Sequence, residues 1–210
     1  MKKIILLVVL IGASVAAVAG TSSAAKSGAS VTISLAKPAV VFGGTDVLSG
    51  NVASKQAGES VMVLAQAYGS ATFQPLATVT TTTGGAWTYT ATPQIQTAYE
   101  AQWTTSTSRS VTVRVRPALT LTKVSLTGAH GTFSVKATAN RSFAGKFVLV
   151  QRLAASGVVQ MKKVVLDSAS SATFTIRVQP GNSRLRAVMP TSQTEPGYIA
   201  AQSPVLVIHR

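Results

Sequence analysis

From Val31 onward, apolar residues in this chain recur at every second position, in short runs broken by Gly, Ser, Pro and Asn. Trp87, Tyr89 and Ala91 share one face of such a run, and Tyr99, Ala101 and Trp103 share one face of the next, across a Pro-containing connection at 92–97. A side-chain period of two marks a strand buried on one face. No segment repeats apolar residues at helical spacing over three turns. In the first half the pattern predicts strands near 31–36, 46–53, 60–67, 75–82, 86–91, 98–104 and 110–116. Short strands with turn signals about every 8–12 residues predict a sandwich, with the aromatics of 84–103 in its core.

The pattern occurs twice. Leu48, Gly50 and Val52 match Val135, Ala137 and Ala139 at an offset of 87, and Ala57-Gly58, Val61 and Val63 match Ala144-Gly145, Val148 and Val150 at the same offset. Leu76, Val79, Tyr89 and Ala91 match Met161, Val164, Phe174 and Ile176 at 85; Tyr99, Ala101 and Trp103 match Leu185, Ala187 and Met189 at 86. The offset changes only between strands, as differing loop lengths would make it do. Residues 190–197 are an insertion in the second copy. Two domains are expected, 30–116 and 117–210. They join through Arg116-Pro117-Ala118 without a Gly/Ser tether, and Pro117 restrains both itself and Arg116. A stiff end-to-end pair is expected.

Ahead of the repeat, Met1-Lys2-Lys3 is followed by an apolar run at 4–11 and small residues at 12–20. That order is a secretory signal peptide, 1–19, with cleavage after Ala17-Val18-Ala19 and a second site at Ser22-Ser23-Ala24. The apolar run is short for a membrane anchor, which needs about 20 apolar residues. A small, polar, flexible segment at 20–29 precedes the first domain. Nothing after the signal is long and apolar enough to span a membrane. The protein is therefore expected outside the cell, secreted or associated with the wall.

Charge separates the two copies. Cysteine is absent, so burial and hydrogen bonds must hold the fold without disulfides. Residues 117–210 carry eleven Lys or Arg and two acids, net +9; residues 20–116 carry six and three, net +3. The acids are Asp46, Glu59, Glu100, Asp167 and Glu195. Five scattered carboxylates cannot build a calcium clamp, and zinc would need Cys or clustered His. His130 and His209 have no acid within ten residues, and no G-x-S-x-G elbow occurs. Neither catalysis nor a cofactor is expected, although an acid–His pair meeting in space would reopen a hydrolase. Tyr68 and Phe73 are the aromatics expected on a loop.

Basic residues of the second copy form the candidate binding surface. Leu185, Ala187 and Met189 inward put Arg184 and Arg186 outward, with Arg152 at the end of a neighbouring strand. On the opposite sheet Lys136, Arg177 and one of Lys162 or Lys163 are expected to point out. Such faces attract polyanions through a salt-screened, sequence-independent term. The alternative is that these charges only keep strand faces soluble and block edge pairing. Nucleic acid is not the expected ligand, because exposed bases need stacking aromatics beside the basic groups.

These residues also carry a family resemblance. Gly43-Gly44-Thr45, Leu48-Ser49-Gly50, Ala57-Gly58-Glu59, the strand Gly84-Gly85-Ala86-Trp87-Thr88-Tyr89-Thr90 and Tyr99-x-Ala101 resemble bacterial immunoglobulin-like domains, often found in tandem in secreted and surface proteins. The second copy is similar to the companion domain through Phe143-Ala144-Gly145-Lys146 and Ala187-Val188-Met189-Pro190. Ala172 stands where the first copy has Trp87, and Leu185 where it has Tyr99. The resemblance implies an all-β chain of two tandem seven-stranded sandwiches with a structural or adhesive role at the envelope and no enzyme activity. Another surface protein or an anionic wall polymer would be the partner. The alternative function is a polyanion-binding module carried by the basic second domain.

Overall fold

The computed structural model describes residues 30–210, and both the expected signal peptide and the segment 20–29 lie outside them. Nine strands come from the first half: β1 (Ser34–Leu35), β2 (Ala39–Val41), β3 (Asp46–Asn51), β4 (Ser60–Ala67), β5 (Gln74–Thr80), β6 (Ala86–Ala91), β7 (Thr97–Trp103), β8 (Ser106–Thr107) and β9 (Val111–Arg116). The second half contributes β10 (Ala118–Thr127), β11 (His130–Thr138), β12 (Phe147–Ala154), β13 (Gly157–Val165), β14 (Ser171–Arg177), β15 (Asn182–Met189), a one-turn helix α1 (Thr191–Thr194), β16 (Ala201–Gln202) and β17 (Leu206–His209).

Alternation folds these strands into an all-β arrangement of two sandwiches. In the first, a three-stranded sheet β1-β3-β6 faces a sheet ordered β2-β9-β7-β4-β5, with β8 added beside β7. In the second, β10-β11-β14 faces β13-β12-β15, with β16 and β17 both paired to β15. Each pair of sheets closes on its own apolar cluster. One is built on Leu48, Val61, Val63, Trp87, Tyr99 and Val113, the other on Phe133, Phe143, Val148, Val150, Leu185 and Met189. The tryptophan strand is a core strand, as its pattern predicts: Trp87, Ala91, Tyr99 and Ala101 are buried, with Tyr89 and Trp103 packed at the margin.

Cross-strand register refines the duplication. Leu48 opposes Tyr89 and Gly50 opposes Trp87; in the second sandwich Phe133 opposes Phe174 and Val135 opposes Ala172. The ladder therefore equates Leu48 with Phe133, an offset of 85 rather than the 87 expected for this strand. Volume is exchanged across the pair. A Cβ on Gly50 would stand 1.9 Å from Thr32 O and 2.8 Å from Trp87 Nε1, so the main chain at Thr32 and, after it, the indole require glycine there. Where the indole shrinks to Ala172, the facing residue grows to Val135. Interiors packed at crystal density demand that compensation.

Two features escaped the hydrophobic pattern. The first strand changes sheets: β1 pairs with β3, then the chain crosses at Lys37-Pro38 and β2 runs parallel to β9. Asp46 pins the crossing, its buried Oδ1 accepting the N–H groups of Lys37 at 2.8 Å and Val47 at 2.9 Å. The second is a serine latch present in both sandwiches. Ser108 Oγ accepts the Ala101 N–H at 2.9 Å and Ser203 Oγ accepts the Ala187 N–H at 3.0 Å, while each serine N–H returns to the same alanine's carbonyl. Both latches close the turn into the last strand without a disulfide.

Truncating Trp87 to Ala removes the largest side chain of the first core, and a loss of about 3–5 kcal/mol in denaturant unfolding is expected. Burial also pushes the Tyr99 phenol up to about 12 from its ordinary 10.0. The neutral form is the one the fold favours. The stability this group contributes is full below pH 10 and is lost as pH rises towards 12. Tyr99→Phe should flatten the alkaline limb of a stability–pH profile relative to the parent.

Candidate functional site

Strand register distributes the seven basic candidates over three surfaces. Lys136 and Arg177 lie on the exposed face of the β10–β11–β14 sheet, among Thr120, Thr122, Ser134 and Thr173. They do not meet: Arg177 opposes His130 while Lys136 lies six residues further along β11, about 20 Å away. Lys162 and Lys163 correct the expectation that either would join this sheet. Both are on β13, which hydrogen-bonds to β12 in the opposite sheet. Lys163 opposes Leu149 on the outer face and sits over the Phe147 ring at 4.0 Å. Lys162 opposes the buried Val150 and carries its Nζ across to the Thr175 carbonyl at 3.2 Å, closing the gap between the sheets.

Arg184 and Arg186 point outward as the alternation requires. Arg186 is held there by Gln151 at 2.9 Å and Gln202 at 3.2 Å. Arg152 does not join them. Its register partner is the buried Leu185, and it follows Val148 and Val150 on the inward face of β12. That parity was visible in the sequence as Val148-x-Val150-x-Arg152. In the first sandwich the residue opposite Tyr99 is Ala65; in the second, the corresponding place opposite Leu185 is filled by Arg152.

The inward turn of Arg152 brings three arginines to one end of the second sandwich. A cavity of about 570 Å³ opens there, lined by Arg152, Arg177 and Arg210 together with Met161, Val178 and Pro180. Arg210 is fixed by two carbonyls, its Nε donating to Gly128 at 3.1 Å and its Nη1 to Val178 at 3.0 Å. Arg152 Nε is buried and has no hydrogen-bond partner. The acids of this half are at the other end. Asp167 is tied to Ser171, opposite Lys136, and its carboxyl is held below the usual range by the Ser171 N–H. Glu195 belongs to the insertion between β15 and β16. Arg210 was not a sequence candidate, because only the pairing of β17 with β15 carries it to Gly128 and Gly181.

At the opposite end the insertion joins the two sandwiches. Tyr198 is buried and packs in the first core. Its hydroxyl donates to Gln94 O at 2.8 Å and accepts the Asn140 N–H at 3.1 Å, so one side chain bridges both halves. Gly197 lies so close to Ile95 that a Cβ would meet the side chain at 2.6 Å. Arg116 reaches Ala200 O at 2.6 Å, and Arg141 reaches Pro196 O and Glu195 O while covering the Phe143 ring. These two cations are engaged by carbonyls. A larger groove of about 780 Å³ beside the junction, between β10 and β16, is walled by Val41, Leu119, Val188 and Pro204. Its one cation is that same Arg116.

Chemically the basic end can hold an oxyanion. Among the described residues no group of three His, Cys, Asp or Glu is placed to bind a metal, and His209 Nδ1 faces Asn182 Oδ1 at 3.0 Å. No helix of the described residues is long and apolar enough to cross a membrane.

No protein-family model and no curated protein matches the chain. Similar solved structures include a tetra-tandem repeat from the extending region of a large adhesion protein, at 14% identity and a TM-score of 0.35, covering 86% of this chain and 49% of that one. Another is a mutant Salmonella alpha-2-macroglobulin at 15% identity and a TM-score of 0.30, covering 86% of this chain and 15% of that one. The chain thus spans about half of the first and a seventh of the second. At these scores neither carries an argument about function.

Removing the bridging hydroxyl leaves the Asn140 N–H and the Gln94 carbonyl unpaired at a partly buried site. Tyr198→Phe is expected to lower stability by about 1–3 kcal/mol. The protection of both amide regions 94–97 and 140–143 in hydrogen exchange should fall together.

Proposed function

We propose that this is an exported, non-catalytic protein of two tandem immunoglobulin-like domains, 30–116 and 117–210, that serves as a structural or adhesive spacer at the bacterial envelope. The observation that carries the reading is the Tyr198 bridge. Domains joined through small polar interfaces move relative to one another by default. Here a side chain of the second domain is buried in the core of the first, and the link at Pro117 has no slack. A spacer that presents a surface at a set distance and angle needs such a joint. The expected signal peptide and the absence of cysteine agree with that role.

A second reading is favoured by the charge distribution. The end of the second domain furthest from the junction carries Arg152, Arg177 and Arg210, with Asp167 and Glu195 both at the other end. It is suited to an anionic wall polymer, with the outward Arg184, Arg186 and Lys163 as a supplementary contact.

One experiment tests both readings. Residues 20–210 are incubated with isolated envelope fractions at low and high salt. Retention at both salts supports a protein or other short-range contact and the spacer role. Retention that falls as salt screens the charges supports the polymer reading. No retention at low salt overturns both.

A further inference from the structure

We propose that the cavity at the free end of the second sandwich is a discrete binding site for a phosphate group carried on a polyol or sugar body. Arg152 would be its central ligand. The proposal deepens the anionic-polymer reading above and rests on it for the source of the ligand, but the site is defined by its own geometry.

Three observations converge. First, the buried Arg152 Nε has no acceptor. A buried donor without an acceptor is unfavourable, so such groups are paired in folded proteins or await a ligand, and the rest of the Arg152 side chain is only partly buried. Among the described residues of this half no Asp or Glu side chain lies at this end, since Asp167 is bonded to Ser171 and Ala169 at the other and Glu195 belongs to the insertion. Second, Arg210 is already oriented. With Nε and Nη1 bonded to main-chain carbonyls, its Nη2 remains to bind, and little side-chain entropy is lost on binding. Third, Met161, Val178 and Pro180 wall the cavity, and Lys162 bonded to Thr175 O closes the seam between sheets beside it. Gln179 lines the cavity as well, and the apolar side chains on one wall strengthen ion pairing beside them.

The size and donor set choose the ligand. Guanidinium forks match the paired oxygens of phosphate and carboxylate. Three arginines on one cavity favour the group of higher charge. A volume near 570 Å³ exceeds a bare phosphate and falls within the range of small-molecule sites, about 300–1,000 Å³. The remaining space beside Met161 and Pro180 suits the carbon skeleton that bears the phosphate.

The site also explains its own cost. In the first sandwich the corresponding place is Ala65, so the β-sandwich does not need an arginine there. Replacing a partly buried arginine whose Nε lacks an acceptor with an apolar residue of similar length is expected to stabilise the fold. Arg152→Met should therefore raise Tm while abolishing binding, a combination that a purely structural arginine would not give.

The test uses residues 20–210 and three probes: glycerol phosphate, glycerol and glucuronate. Two-dimensional amide NMR should show saturable shifts confined to 150–153, 177–181 and 208–210 with glycerol phosphate, none with glycerol, and weaker ones with glucuronate. Arg152→Met and Arg177→Gln should each weaken glycerol phosphate by at least about tenfold, Arg152→Lys by less, and Lys123→Gln, at an exposed position of β10, not at all. Shifts spread over the outer face of β15, equal binding by Arg152→Met, or a Tm lowered by that variant would overturn the site. If the parent binds glycerol phosphate in the cavity yet ignores envelope polymer, the polymer reading falls and the site stands. If Arg152→Met retains envelope polymer with parental affinity and salt dependence, the surface reading stands and the site falls.

Discussion

Burial of every second side chain between paired sheets is the constraint on which this protein depends. No cysteine is available to staple the sheets. The inward set must therefore fill its space fully, and each substitution on one strand must be answered on the next. Gly50 under Trp87 and Val135 under Ala172 are two solutions of the same packing equation. The serine latches at Ser108 and Ser203 do the corresponding work for polar groups, satisfying a buried alanine N–H where the ladder is interrupted.

That constraint also gives the molecule its polarity. In both sandwiches the last strand is split at the serine latch, into β8 and β9 in the first and β16 and β17 in the second, and the second adds an insertion between β15 and β16. The insertion delivers Tyr198 to the first core and occupies Arg116 and Arg141 with carbonyls. The end of the second sandwich at the junction is thus consumed by the joint. The other end carries Arg152, Arg177 and Arg210. Arg152 in the place of Ala65 and the 190–197 insertion are the two differences between the halves that set the character of these two ends.

Much of the architecture was legible in the chain. The strands at 60–67 and 86–91 were located to the residue, and the inward aromatics of the first core followed from parity alone. The outward direction of Arg184 and Arg186 followed from the same rule. The short strand β2 was not legible, because three residues beside Pro38 carry too little pattern and its crossing is held by a side chain, Asp46. The basic site was legible only in part. Arg152 was placed at the end of a neighbouring strand, where it lies, but its parity with Val148 and Val150, which turns it inward, was not used.

The sequence by itself determined which side chains share a face, where the chain turns and that one unit is used twice. These are consequences of local geometry, because a strand's period of two needs no neighbour to define it. Tertiary structure alone decided which sheet each strand joins, and hence that Lys162 and Lys163 sit with β12 and not with β14. It also decided that Arg152, Arg177 and Arg210, separated in the chain by 25 and 33 residues, line one cavity. Pairing partners are chosen by the closing of two sheets over a common core, a non-local balance of volume and hydrogen bonds that no single stretch of sequence contains.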